Sequence, residues 1–245
     1  MKRSLRDIIG YTISTKDESS GRATDFLFDE KQWVIRYLEA DFGNLFTTNK
    51  VLIPRLFLKE PIWEKGRFPV DLLDDEIKRC PKLEDHQTVS RKYEEELFEH
   101  YQINPYWVAY IGAHGTYFPP RPIRIPSKVV DEEKIDSILR SFEEIEGYHI
   151  HALDGRIGHI QDLIIDDADW QVVYAVVDTS NWLPWSKKVL VSVDRMDKIS
   201  YVNREVHIKM RTAMIKNAPV YDPSVIIDNK FEQEVLNFYN LSMVT

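Results

Sequence analysis

The strongest constraint on this chain is an internal repeat. Gly10-Tyr11 recurs as Gly147-Tyr148, 137 positions later. Identities continue at that offset without a gap: Ser4/Ser141, Ile8/Ile145, Ile13/Ile150, Asp17/Asp154, Gly21/Gly158, Asp25/Asp162, Asp29/Asp166, Trp33/Trp170, Tyr37/Tyr174, Asp41/Asp178 and Asn44/Asn181. One residue is inserted near Trp185, after which the register continues at an offset of 138 to Tyr101 and Tyr239. Such a register predicts two modules with the same fold, either as architecture alone or as the frame of a two-fold functional site.

The repeat divides the chain into a first module at 1–101, a connecting segment at 102–140 and a second module at 141–245. Prolines in Asn104-Pro105-Tyr106-Trp107 and Phe118-Pro119-Pro120-Arg121-Pro122 favour an extended connection. Because this segment is also rich in aromatic residues, we expect it to pack on one or both modules.

Short segments rich in β-branched and aromatic residues alternate with turn sequences in both modules. We predict strands at 11–14, 23–28, 33–40, 50–54, 149–151, 160–165, 170–177, 188–193 and 205–210. Short helices or helical turns are predicted at 74–79, 131–140 and 212–217. This pattern predicts a mainly β fold of two small antiparallel β-barrels, each followed by a C-terminal helix.

The two C-terminal helices carry matching sequence signals. Ser90 and Asp228 occupy the same repeat position, and both residue types are good N-caps. Apolar residues then recur at intervals of four: Tyr93, Leu97 and Tyr101 in the first module, and Phe231, Val235 and Tyr239 in the second. This stripe predicts a helix that covers its own barrel, with pairing to the other module or to another chain as the alternative.

The motifs of both modules resemble the PRC-barrel domain. The first module shows this through Leu5-Arg6-Asp7-Ile8-Ile9-Gly10-Tyr11, Leu27-Phe28-Asp29-Glu30 and Val51-Leu52-Ile53-Pro54. The second shows it through Gly147-Tyr148, Asp154-Gly155, Ile165-Asp166-Asp167 and Val189-Leu190-Val191. The resemblance implies a small β-barrel that binds and assembles without catalysis. In that family the domain occurs in the cytoplasmic part of a photosynthetic reaction-centre H subunit and as the C-terminal domain of a ribosome-maturation factor.

Composition limits the function classes further. The net charge of −8 opposes binding to nucleic acid or anionic lipid. No stretch approaches the ~20 apolar residues of a membrane span, and the charged start does not resemble a signal peptide. A single cysteine, Cys80, allows no intramolecular disulfide. We therefore expect a cytoplasmic protein without a membrane span.

Histidines are concentrated in the second module. His149 and His151 share one face of a predicted strand, and His159 could fold over them to hold a metal ion such as zinc. The alternative is that these are solvent-facing polar positions on a sheet. No cofactor is predicted.

The repeated acids Asp25/Asp162, Asp29/Asp166 and Asp41/Asp178 could act as paired carboxylates. The alternative is that each bonds backbone amides at a turn or strand end. No phosphate-binding loop or nucleophile motif is present in the sequence, so we expect no enzymatic activity.

Aromatic residues supply the candidates for a partner-binding surface. Trp33/Trp170 and Tyr37/Tyr174 are predicted as core, with an exposed platform as the alternative. Trp182, Leu183 and Trp185 lie in a predicted loop where the first module has Leu45, Phe46 and Thr48. Exposed tryptophans suit a contact surface, to which the connecting segment would add Tyr106 and Trp107. Packing of the loop against the connecting segment is the alternative.

These observations predict a non-enzymatic tandem PRC-barrel adaptor that binds protein partners and could form a homo-oligomer. The alternatives are a ribosome- or RNA-maturation-associated factor and a cytoplasmic partner of a membrane photosynthetic complex. An enzyme is the last alternative, because it would depend on the histidines and scattered acids alone.

Overall fold

The computed structural model of the protein describes residues 1–44, 46–83, 89–107, 138–179 and 187–241. Strands dominate the structure, and the predicted mainly β fold class is confirmed. We call residues 1–107 the first half and residues 138–241 the second half.

The two halves follow the same order of elements. The first half contains β1 (Lys2–Ser4), α1 (Leu5–Ile8), β2 (Thr12–Ser14), β3 (Ser20–Asp29), β4 (Val34–Asp41), β5 (Lys50–Pro54), β6 (Arg67–Pro69), α2 (Asp74–Lys78) and α3 (Arg91–Tyr101). The second contains β7 (Leu139–Ser141), α4 (Phe142–Ile145), β8 (His149–Ala152), β9 (Gly155–Asp166), β10 (Gln171–Asp178), β11 (Lys188–Ser192), β12 (Met196–Ser200), β13 (Glu205–Ile208), α5 (Thr212–Asn217) and α6 (Asn229–Leu241). The second half thus adds β12 to the series.

The strands form one continuous, curled sheet in the order β12-β13-β8-β9-β10-β4-β3-β2-β6, with β1, β5, β7 and β11 paired beside it. Two features of this sheet were not predicted from the sequence. Hydrogen-bonded ladders join the two halves, and β2–β6 and β8–β13 are parallel pairs. The long connection between the two strands of each parallel pair permits the crossover that parallel pairing requires.

The first strand of each half pairs with a strand of the other half. β1 pairs antiparallel with β9, so that Ser4 lies opposite Ile164. β7 pairs in the same way with β3, so that Ser141 lies opposite Leu27. The helices α1 and α4 continue onto the same strands, β9 and β3. Each half therefore places its first strand and helix on the long strand of the other half. The two pairings are equivalent under the repeat.

A third contact lies between β4 and β10. The Ile35 amide donates to the Trp170 carbonyl at 3.0 Å, and the Val172 amide donates to the Trp33 carbonyl at 2.7 Å. These two bonds exchange under the repeat, so a pseudo-two-fold axis passes between the strands.

Both repeated tryptophans are buried beside this axis, each with a left-handed backbone: φ is 54° at Trp33 and 63° at Trp170. Trp170 of the second half packs against Phe26 and Phe68 of the first, with ring centroids 6.0 and 5.6 Å apart. Trp33 stacks on Phe28 at 5.1 Å. The predicted core role is confirmed and the exposed platform is wrong, although both residues lie just before their strands.

Helices α3 and α6 each cover their own half, as predicted. Ser90 caps α3 by accepting the Tyr93 amide at 3.2 Å, and the Asp228 carboxylate accepts the Phe231 amide at 2.7 Å. The Tyr101 hydroxyl donates to a β5 carbonyl at 3.2 Å, and the equivalent Tyr239 hydroxyl donates to a β11 carbonyl at 2.7 Å. In the described ranges, no helix is long and apolar enough to cross a membrane.

The repeated glycines Gly21 and Gly158 lie where two strands approach closely. A Cβ at Gly158 would lie 1.9 Å from the Asp178 carbonyl oxygen, and one at Gly21 would lie 2.9 Å from the Asp41 carbonyl oxygen. Gly158 also has φ +63°, which favours glycine. The repeat therefore preserves glycine because the sheet leaves no room for a side chain.

We predict that Gly158→Ala destabilises the protein by about 3 kcal/mol, since it combines a backbone clash with left-handed strain. Gly147→Ala is the matched control, because Gly147 has φ +84° but open space around its Cβ position. We expect that variant to lose only about 1 kcal/mol. Urea unfolding of both variants would measure the difference, and equal losses would contradict the close approach.

Candidate functional site

The seam between the halves consists of the β1–β9 and β3–β7 ladders with α1 and α4. On one side of the seam, the Ser4 hydroxyl donates to Asp162 Oδ2 and accepts the Asp7 amide at 3.1 Å. The Arg6 amide donates to the other oxygen, Asp162 Oδ1, at 3.2 Å. One serine therefore caps α1 and binds a buried carboxylate of the other half.

The other side of the seam has the same arrangement. The Ser141 hydroxyl donates to Asp25 Oδ2 and accepts the Glu144 amide, at 3.0 Å, as the cap of α4. The Glu143 amide donates to Asp25 Oδ1, also at 3.0 Å. Each half thus places an aspartate in the middle of its long strand to receive the leading segment of the other half.

Both aspartates are buried, and burial disfavours the charged carboxylate. Desolvation raises the pKa of Asp25 to about 7 and the pKa of Asp162 to about 6, against the lowering effect of their hydrogen bonds. The Glu39 carboxylate raises the pKa of Asp25 further, whereas the Arg6 guanidinium lowers that of Asp162. The seam therefore holds two carboxylates that change protonation between pH 5 and 8.

The turn interpretation of the repeated acids is confirmed for Asp29, Asp166 and Asp41. Asp29 accepts amides at 2.9 and 3.1 Å, Asp166 accepts one at 3.1 Å, and Asp41 accepts two at 2.8 Å, all in their own loops. It is wrong for Asp25 and Asp162, which lie inside β3 and β9. The repeated Ser4/Ser141 pair is the sequence signal for the actual role, but it does not show which half binds which.

Ion pairs reinforce the seam and join opposite halves. On the β1–β9 ladder, Lys2 pairs with Asp166 at 2.7 Å and Arg3 pairs with Asp167 at 3.1 Å. On the β3–β7 ladder, Arg140 pairs with Glu30 at 3.0 Å. These groups are only partly exposed, so their attraction is less screened than that of surface pairs.

Two of the predicted partner-binding residues, Tyr106 and Trp107, lie against α3. Trp107 packs edge-on to Phe98 at 4.9 Å, and the Arg91 guanidinium lies over its ring at 3.6 Å. The Arg36 guanidinium lies over Tyr106 at 4.1 Å. The connecting segment therefore starts by packing on the first half, as expected, and both rings remain half-buried.

The Tyr106 hydroxyl also enters a buried polar cluster. Glu94 is fully buried, and its Oε1 accepts hydrogen bonds from Tyr106 at 2.9 Å and from Tyr37 at 3.1 Å. Burial raises the pKa of Glu94. In the second half, the equivalent Tyr174 hydroxyl donates to Glu232 at 3.1 Å. This cluster anchors the helix to its sheet in both halves.

The three predicted metal ligands do not come together. His149 faces His159 across the β8–β9 ladder, whereas His151 packs against His207 with ring centroids 4.8 Å apart. Across the residues that can be described, no three His, Cys, Asp or Glu side chains group so as to hold a metal. The register of the strands therefore pairs His149 with His159 and His151 with His207. The two-residue spacing of His149 and His151 does not predict this pairing.

The remaining predicted partner-binding residues, Trp182, Leu183 and Trp185, lie outside the described residues. Apart from residue 45, the loop of the first half at the same repeat position is described, and Phe46 in it has 93% of its surface exposed. The sequence analysis named Phe46 only as the residue at the repeat position of Leu183 and did not predict it as a partner-binding residue. An apolar residue at one repeat position in both loops is the signal that could have identified it.

In a comparison with known families, residues 139–215 match the model of the PRC-barrel domain. The matched residues extend from β7 into α5 of the second half. No curated protein matches the chain significantly.

The raised pKa values predict an unusual pH dependence of stability. Because the folded pKa of Asp25 and Asp162 lies above the unfolded value, their contribution to stability is full below about pH 4 and is lost as pH rises through 6 to 7. We expect wild type to lose on the order of 2 kcal/mol, relative to the Asp25→Asn/Asp162→Asn variant, between pH 5 and 8.

Urea unfolding of both proteins at each pH would measure this difference, because the other titrating groups cancel. A difference that is constant or grows with pH would contradict the prediction.

Proposed function

We propose that this chain, whose residues 139–215 match the PRC-barrel domain, is a non-enzymatic adaptor that binds a protein partner in the cytoplasm. We propose further that the first half is a second PRC-type barrel. The shared order of elements in the two halves supports this.

The observation that carries the adaptor role is the exposed Phe46 on the β4–β5 loop. The Asn44 side chain accepts the Phe46 amide at 2.9 Å and the Thr47 amide at 3.2 Å. Asp41 accepts two more loop amides at 2.8 Å each. The turn is therefore held by its own hydrogen bonds while its aromatic side chain stays in solvent. A pre-ordered aromatic group suits an apolar pocket on a partner, since little conformational entropy is lost on binding.

The sequence places comparable residues at the equivalent loop of the second half. Leu183 occupies the repeat position of Phe46, with Trp182 and Trp185 beside it. We propose that the two loops, related by the repeat, form a pair of apolar contact points for one partner or for two.

The bonding of the buried acids supports a role without catalysis. The oxygens of Asp25 and Asp162 accept hydrogen bonds from the serine hydroxyl and backbone amides of the opposite half. Each aspartate also accepts the amide of the next residue in its own strand, Phe26 or Leu163, and its other hydrogen bonds connect the halves. The raised pKa values of these acids therefore reflect assembly of the fold.

Affinity capture from the host with wild-type protein, followed by titration of the purified partner, would test the adaptor role. We expect Phe46→Ser and Trp182→Ser/Trp185→Ser to weaken binding about tenfold or more, which is about 1.4 kcal/mol. Leu56→Ser is the matched control, because Leu56 is 74% exposed and lies away from the turn. Unchanged binding by both loop variants, or weakening that Leu56→Ser reproduces, would contradict the proposal.

A further inference from the structure

The seam has a property that goes beyond the proposed adaptor role and does not depend on it. Both of its ladders join a strand of the first half to a strand of the second, β1 to β9 and β3 to β7. The contact between β4 and β10 also joins the two halves. The buried Ser–Asp bonds and the ion pairs across it likewise join opposite halves. The same contacts would form if the two halves came from different chains.

The charges on the seam are complementary in a way that selects the partner surface. Lys2 and Arg3 of the first half meet Asp166 and Asp167 of the second. On the other ladder, Arg140 of the second half pairs with Glu30 of the first half. A second copy of this chain presents all of these groups in the same places, so it is the one partner certain to fit.

The symmetry of the seam also favours a closed assembly. The repeat relates its two ladders, and the pseudo-two-fold axis passes between β4 and β10. If the first half of one copy joined the second half of another, the remaining two halves would face each other with the same complementary surfaces. Two copies would then satisfy every seam contact and leave no seam surface unpaired, as in other exchanged dimers.

The covalent connection between the halves determines at which protein concentration the exchanged dimer forms. Residues 108–137 connect Trp107, packed on α3, to Ile138 at the start of the second half. Because the two halves belong to one chain, the effective concentration of each half near the other is high, so the closed monomer dominates in dilute solution. The exchanged form becomes accessible when the chain folds at high protein concentration.

From this geometry we propose that a second copy of this chain binds at the seam, so that two copies form a reciprocally exchanged dimer. The first half of each copy pairs with the second half of the other, and no contact is gained or lost at the seam itself.

Cysteine cross-linking of full-length protein would test this. Lys2 and Asp166 are opposite one another in the β1–β9 ladder, with side chains in contact, at a separation that suits a disulfide. Lys2→Cys and Asp166→Cys proteins would be mixed, unfolded, refolded together and oxidised. The proteins are kept reduced until refolding is complete, because in the folded protein the native Cys80 is buried and its pKa is raised to about 11, so that its thiol does not compete.

We expect an interchain disulfide in the mixture whose yield rises roughly in proportion to protein concentration, about tenfold for a tenfold increase. The Lys2→Cys/Asp166→Cys double variant, refolded dilute, should form the same bond within one chain and shows that the register permits it. Thr12→Cys mixed with Arg22→Cys is the matched control, since these residues face each other inside the first half.

The proposal is overturned if the mixed Lys2→Cys and Asp166→Cys proteins cross-link no more than the control mixture while the double variant closes within the chain. It is also overturned if the double variant fails to close, because the β1–β9 register is then wrong. Neither outcome involves Phe46, so the adaptor role is tested separately.

Discussion

The bond between a serine hydroxyl and a buried aspartate of the other half is the interaction on which this fold depends most. A carboxylate inside a strand is costly to bury, and here that cost is offset by a hydroxyl and by amides at a helix start. If either leading segment leaves its site, the aspartate loses the bonds from the opposite half. Each half therefore needs the other half to supply hydrogen bonds to its buried aspartate. For this reason the two modules form one structural unit.

Much of this architecture could be predicted from the sequence because the repeat carries strong local signals. The prediction of β5 and α5 agrees with the structure in both bounds, and Ser90 caps α3 as expected. The alternation of apolar and polar residues and the capping of helices depend on a few neighbouring residues. Both can therefore be recognised in a single sequence.

The exchange between halves could not be predicted in the same way. β1 and β7 have three residues each, and α1 and α4 have four, which is too short for a periodic signal. A repeat also makes each segment equally suited to two sites, its own half and the other. The choice between them depends on tertiary contacts such as Lys2–Asp166. The serine–aspartate site was not predicted for the same reason. Without knowledge of its partner Ser141, Asp25 is interpreted as a turn residue.

The two halves have kept the serine–aspartate bonds of the seam and have diverged at other positions. Tyr37–Glu94 and Tyr174–Glu232 are the same bond at the same length of 3.1 Å, but Tyr106 joins it in the first half and Lys2 approaches it in the second. Repeated residues therefore serve assembly of the fold. Residues that differ between the halves, such as Phe46 and its counterpart Leu183, are the better places to expect partner specificity.

The central claim is that the two halves stabilise each other across the seam. Hydrogen exchange measured by mass spectrometry in increasing urea tests it most directly, by following β5 in the first half and β11 in the second. Neither strand takes part in the seam, so each reports on its own half. The account predicts that both strands lose protection in a single transition at the same urea concentration. Two transitions, with one half still protected after the other has exchanged, would contradict it.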